Sequence, residues 1–154
     1  MKITKATKKD ISSMVALSAA KRADYEKTQP TFWKAHPSAD INQIQWFESL
    51  LAKEDYLIAV AHKEEVVQGF IIGHIIDAPE VYEPGGKTLY IDDFCVLKKW
   101  QMAGKALLDY IIDASKGYDC CQALIVCGSH DVTKKLFIEE QGYSCISQWF
   151  HKTI

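Results

Sequence analysis

Apolar positions along the chain follow two rhythms. From Leu89 to Val96 both alternating faces are apolar or aromatic, with Leu89, Tyr90, Ile91, Phe94, Cys95 and Val96 in one run. That is the pattern of a strand buried on both sides of a sheet, and only Asp92 and Asp93 interrupt it. Ala103, Leu107, Tyr110 and Ile111 then recur every three or four residues, with Leu108 and Ile112 widening the stripe, which predicts a helix. Residues 121–126 again read as a buried strand, so strand, helix and strand make a parallel βαβ unit. The ligand crevice of such a unit lies outside the carboxyl ends of its strands.

The flanking regions are more ordinary. Ile3 and Ala6 mark a short strand, and Ile11, Met14, Val15, Leu17 and Ala20 predict an amphipathic helix. Residues 23–37 are polar, aromatic and broken by Pro30 and Pro37, the pattern of a loop or fragmented helix. A second helix follows from Ile41, Ile44, Phe47, Leu50 and Leu51, with Ser38 or Asp40 to cap it. Residues 56–61 and 66–76 read as a hairpin, in which Gly69 and Gly73 signal a bulge or the close approach of another backbone. Residues 77–86, with Pro79 and Pro84, form a loop. Asp131 caps a last helix over residues 131–141 that ends at Gly142, and residues 143–146 and 149–153 read as terminal strands.

Composition narrows the function classes. A chain of 154 residues, 48% hydrophobic, buries one core, so residues 1–154 are read as a single domain. A formal net charge of −2 argues against a nucleic-acid partner. No apolar run is long enough for a bilayer and the N-terminus lacks the apolar core of a signal peptide, so no membrane partner and a cytoplasmic location are expected. The five cysteines lie mostly in apolar runs without Cys-x-x-Cys or Cys/His ligand spacing, which predicts neither metal nor disulfide.

The joint between the central strand and its helix is Gln101-Met102-Ala103-Gly104-Lys105-Ala106, preceded by Lys98, Lys99 and Trp100. A helix N-terminus presents unpaired N–H groups and partial positive charge, and small residues such as Gly104 and Ala106 let an anion approach the main chain. The same small residues also suit a tight turn packed against a sheet, and spacing alone divides evenly between the two readings.

This stretch resembles motif A of the GNAT superfamily of N-acetyltransferases. That signature is Gln or Arg, two residues, Gly, one residue, then Gly or Ala, and it is matched by Gln101, Gly104 and Ala106, with Val96 ending the strand five positions earlier. Residues 90–96 are similar to the central strand of diamine (spermidine/spermine) acetyltransferases and of many bacterial GNAT proteins of unassigned substrate. The resemblance implies an α/β (α+β) fold: a mixed, mostly antiparallel sheet of six to seven strands flanked by about four helices. It implies acetyl-CoA as cosubstrate, held by Gln101, Met102, Ala103, Gly104, Lys105 and Ala106 and by the strand at Phe94, Cys95 and Val96. The implied acceptor is a primary amine of a small molecule or peptide, and a homodimer is allowed.

Acetyl transfer to an amine needs a proton acceptor, polarisation of the thioester carbonyl and a proton for the departing thiolate. By resemblance the base is the carboxylate four residues before the valine, Asp92, acting directly or through water, with the relay favoured because aspartate is one methylene shorter than the glutamate usual there. Successive strand side chains face opposite ways, so Asp92 and Asp93 reach one substrate only if the strand bulges, and Asp92 is favoured. Tyr25, Trp33 and Tyr90 are the candidates for the acceptor site, whereas Trp46 and His74 are read as packing residues. The family's last helix carries a tyrosine that protonates the thiolate. Here Lys134 replaces an alanine of that pattern and Ile138 occupies the tyrosine position, leaving Tyr143, Tyr90 or solvent to supply the proton. An alternative is a non-catalytic acyl-CoA-binding regulatory module.

Overall fold

The computed structural model describes residues 1–97 and 100–154; the expected anion-attracting residues Lys98 and Lys99 lie outside the described residues. Five strands form one sheet in sequence order: β1 (Lys2–Lys5), β2 (Tyr56–Lys63), β3 (Val66–Ile76), β4 (Lys87–Val96) and β5 (Cys120–Ile125). The first three junctions are antiparallel, and β4–β5 is parallel. Helices α1 (Ile11–Thr28) and α2 (Ala39–Leu50) precede β2, α3 (Lys105–Ser115) crosses between β4 and β5, and α4 (Val132–Glu140) follows β5. A π-helical turn, Trp100–Gly104, leads into α3.

Alternation along the central strands feeds two apolar layers. Ile71, Leu89, Ile91 and Phe94 pack with Leu107, Ile111 and Phe137 on the α3–α4 face. Phe70, Ile72 and Cys95 pack with Met14, Val15, Phe47 and Leu50 on the α1–α2 face. Both faces of β4 are therefore covered, as its continuous apolar run requires.

The hairpin between β2 and β3 turns on Glu64 and Glu65, both with positive φ (49° and 65°), between the paired residues Lys63 and Val66. A two-residue turn with two left-handed residues matches the twist of the flanking strands. Gly69 meets the Cys95 carbonyl, 2.7 Å from where a Cβ would sit, and the β3–β4 register slips between Ile72 and Gly73. Both glycines thus mark the features their positions in a strand predict.

Two boundaries differ from the sequence reading. Helix α1 runs on to Thr28, taking Tyr25 out of the expected loop; no Pro or Gly stands before Pro30 to stop it. The sheet has five strands rather than six or seven, because residues 143–154 form no ladder among the described residues. Their alternation places Ile146, Trp149 and Phe150 in solvent, and alternation produces a strand only where a neighbour's backbone groups are within reach.

Candidate active site

The site grows from a mismatch in β4. Opposite β3, Ile72 pairs with Asp93 and Gly73 pairs with Ile91, so Asp92 is an extra residue with no cross-strand partner. A bulge of this kind re-aims side chains, and here it brings neighbouring carboxylates to the same side of the sheet. Asp93 lies on the α1–α2 side, where its Oδ1 accepts from Lys21 Nζ at 3.3 Å and from Cys95 Sγ at 3.5 Å. Asp92 lines a small cleft with Trp46, Tyr56, Ile72, His74 and Tyr90, also on that side. Asp92 is exposed as a residue, yet partial desolvation of its carboxyl in the cleft, reinforced by the adjacent Asp93 charge, holds it above the usual carboxylate range, while Lys21 and Lys134 oppose the shift.

The cleft is largely aromatic. Tyr56 stacks on His74 with centroids 4.2 Å apart and planes 10° from parallel, and His74 Nε2 bonds Asp55 Oδ2 at 2.7 Å. That bond lowers the Asp55 carboxyl below its ordinary value. Tyr90 is raised by partial burial and by Asp92.

The parallel ladder ends early. Its last pair is Ile91 with Ile125, followed by one bond from Val126 N–H to the Ile91 carbonyl at 2.9 Å. Strand β4 continues to Val96 bonded to β3 alone, so among the described residues its β5-facing edge past Ile91 has no strand neighbour. Lys134 of α4 is completely buried there, with Nζ donating to the Val126 carbonyl at 2.9 Å and lying 5.5 Å from the Phe94 ring centroid and 5.9 Å from that of Trp100. Asp131 caps α4 by accepting from the Lys134 backbone N–H at 3.0 Å, which fixes this first turn.

Tyr25, on α1, accepts a bond from Gly128 N–H at 3.1 Å and packs edge-on against Trp33 and His130. It therefore joins α1 to the loop after β5, and Trp33 sits half-exposed beside it. Tyr90 lies in the Asp92 cleft instead, so the three expected acceptor residues divide between two places. Tyr143 follows α4 and packs against the α3–α4 core, where burial raises its phenol. Ile138 is in that core as well.

At the expected phosphate cradle, Gln101, Met102 and Lys105 are exposed, Ala106 is half-buried, and Ala103 and Gly104 are buried. A Cβ on Gly104 would stand 2.9 Å from Trp100 Cε3 and 3.3 Å from Phe137 Cζ, so its small size is required by packing. Cys95 is pushed up to about 12 by burial, with the Lys21 cation opposing, which leaves a neutral thiol rather than a nucleophile.

Several site residues escaped the sequence reading. Lys21 lies on the same stripe as Met14, Ser18 and Tyr25, spaced three and four residues apart, and a lysine on that inward stripe was the available signal. Tyr56 and His74 are cross-strand partners in the β2–β3 hairpin, and Trp46 joins them only through the α2–sheet contact. Lys134 was visible only as a departure from a family alanine.

The fold is that of known acetyltransferases. The tetramutant of the BH1408 protein from Bacillus halodurans superposes with a TM-score of 0.84 at 20% identity, over 100% of both chains. A "predicted acetyltransferase" from Clostridium acetobutylicum, solved with acetyl-CoA, matches at a TM-score of 0.74 and 17% identity, covering 99% of this chain and 95% of that one. An aminoglycoside acetyltransferase from an uncultured soil metagenomic sample, in complex with sisomicin, matches at a TM-score of 0.66 and 18% identity, over 99% and 94%. No curated protein matches the sequence. The acetyltransferase (GNAT) family model matches residues 19–143, and the chain belongs to that family.

Proposed function

We propose that the protein transfers an acetyl group from acetyl-CoA directly to a primary amine of a small molecule or peptide. The observation that carries this reading is Asp92, placed by the bulge in a cleft walled by Trp46, Tyr56 and Tyr90. Aromatic faces attract an incoming ammonium, and a carboxylate with a raised pKa is a better proton acceptor than an ordinary one. Asp93 is engaged by Lys21, which supports Asp92 as the base, working directly or through water.

The residues present suit the thioester. The unladdered edge of β4 around Phe94, Cys95 and Val96 has backbone groups to offer a pantetheine arm, and Gln101, Met102 and Lys105 lie exposed at the helix entrance. Acetyl-CoA, once bound, supplies the activated acetyl group.

The test is a pair of measurements. Saturation at about a hundredfold the dissociation constant adds roughly 2.7 kcal/mol, which should raise Tm by several degrees in a domain of this size. Release of CoA thiol is then followed over a panel of amines. An unmoved melting curve would refute acetyl-CoA binding. The second reading, a non-catalytic acyl-CoA-binding module, draws on Ile138, whose side chain is committed to the core where the family has a proton donor. Tight acetyl-CoA binding without turnover on any amine would select that reading.

A further inference from the structure

We infer that Lys134 is the proton donor to the departing CoA thiolate, replacing the tyrosine that Ile138 displaces. This rests on the acetyl-transfer function proposed above. Three observations carry it. Lys134 and Ile138 are four residues apart on α4, hence on one face of the helix, so the ammonium lies one turn from the position a phenol would occupy. Its Nζ sits where the β4–β5 ladder gives out, against the first carbonyl beyond the paired part of β5. Finally, among the described residues Val126 O is the sole hydrogen-bond acceptor of a fully buried group with three N–H donors.

A buried ammonium with spare donors is expensive in a fold that could carry a methionine at the same place. The faces of Phe94 and Trp100 offset part of that cost and leave directed donors free for a ligand atom. Burial, with the Lys21 cation, lowers the Lys134 pKa to about 8, against the opposing pull of the Asp93 carboxylate; the neighbouring Cys127 and Cys95 are neutral thiols there. The Lys134 charge, after that of Lys21, also favours the ionised form of the Asp92 carboxyl. An acid of this strength is charged at neutral pH and matched to a thiolate, so transfer between them is close to balanced.

The step balances as follows. The neutral amine forms its bond to the acetyl carbon, the carbon–sulfur bond breaks and its electron pair stays on sulfur. Lys134 Nζ gives one proton to that sulfur, Asp92 takes one from the new amide nitrogen, and exchange with solvent restores both groups.

A readout independent of turnover is the titration of free CoA bound to the protein, followed by thiolate ultraviolet absorbance. Beside the Lys134 ammonium the bound thiol should be at least about tenfold more ionised than free CoA at the same pH. Lys134→Met should abolish that excess while still binding CoA. In turnover, the variant should lose about a hundredfold and also lack the decline in rate above about pH 8 that is expected of the parent. A bound thiol that ionises no more readily than free CoA in the parent overturns the assignment even if Lys134→Met does not fold. An unchanged titration or an unchanged alkaline decline in the variant overturns it as well. A parent that ionises bound CoA through Lys134 yet acetylates no amine leaves the Lys134–sulfur contact standing and removes the function proposed above.

Discussion

Lys21 on α1 reaches across to Asp93 on β4, Nζ to Oδ1 3.3 Å, and this one ion pair gives two adjacent carboxylates different surroundings. Burial works against the Lys21 charge, but the Asp93 carboxylate, by its charge and its hydrogen bond, opposes that and the ammonium pKa is raised. Asp92, one residue away, has no such partner among the described residues and lines the aromatic cleft. Position relative to α1, rather than residue type, pairs one acid with a lysine and leaves the other lining the cleft.

The first prediction follows from that division. Asp93→Asn leaves the Lys21 ammonium facing a neutral amide in a mostly buried place, which should cost about 1 to 3 kcal/mol of stability. Urea denaturation of the parent and variant measures it. A variant as stable as the parent would show that the pair is solvated and contributes nothing.

Gly104 provides the second. Its missing Cβ is taken up by Trp100 and Phe137, so Gly104→Ala should destabilise by about 1 to 3 kcal/mol through overpacking. Thermal melts without ligand read this directly. Were the glycine needed only for anion approach, the substitution would leave the unliganded melt unchanged and weaken acetyl-CoA binding alone.

These two cases show what the sequence made legible. The strand–turn–helix from Lys87 to Ser115 was readable because two different periodicities meet there, and each is set by local geometry. Gly73 announced the bulge that makes Asp92 and Asp93 neighbours on one side. What remained hidden depends on contacts between distant segments: Lys21 meets Asp93 across 72 residues, and Lys134 is buried only because β5 stops pairing at Ile125. The terminal stretch failed in the opposite direction. Residues 143–146 and 149–153 alternate like strands, but strand formation needs an edge to pair with, which periodicity does not report.

The third prediction concerns the acceptor. Trp46 lines the Asp92 cleft, and Trp46→Ala removes an aromatic face from an incoming ammonium. A contact worth about 0.5 to 2 kcal/mol corresponds to a rise in amine KM of roughly 2- to 30-fold. Steady-state kinetics with varied amine checks this, and the melting shift given by acetyl-CoA should be unaltered. An unchanged KM would move the acceptor to the other aromatic cluster, at Tyr25 and Trp33.

The fourth prediction joins chemistry to stability at Asp92. If it is the base, Asp92→Asn should lower turnover about a hundredfold or more while leaving acetyl-CoA affinity nearly intact. The parent's rate should rise with pH as the carboxyl ionises, above the ordinary carboxylate range because its pKa is raised. The same shift fixes the sign of the stability effect. A carboxyl whose folded pKa exceeds its unfolded value holds its proton more tightly when folded, so its contribution is best at low pH and declines as pH rises from the unfolded pKa through the folded one. At pH 7 the ionised Asp92 therefore costs stability, and Asn should be neutral to slightly stabilising there. Below the unfolded pKa the advantage should vanish. The effect is small because the side chain is solvent-exposed enough for water to screen it. Thermal melts of the two proteins at pH 7 and in acid check the sign. An Asp92→Asn protein that keeps full turnover would return the role of base to Asp93, and one that loses stability at pH 7 would show that the folded Asp92 carboxyl is not raised.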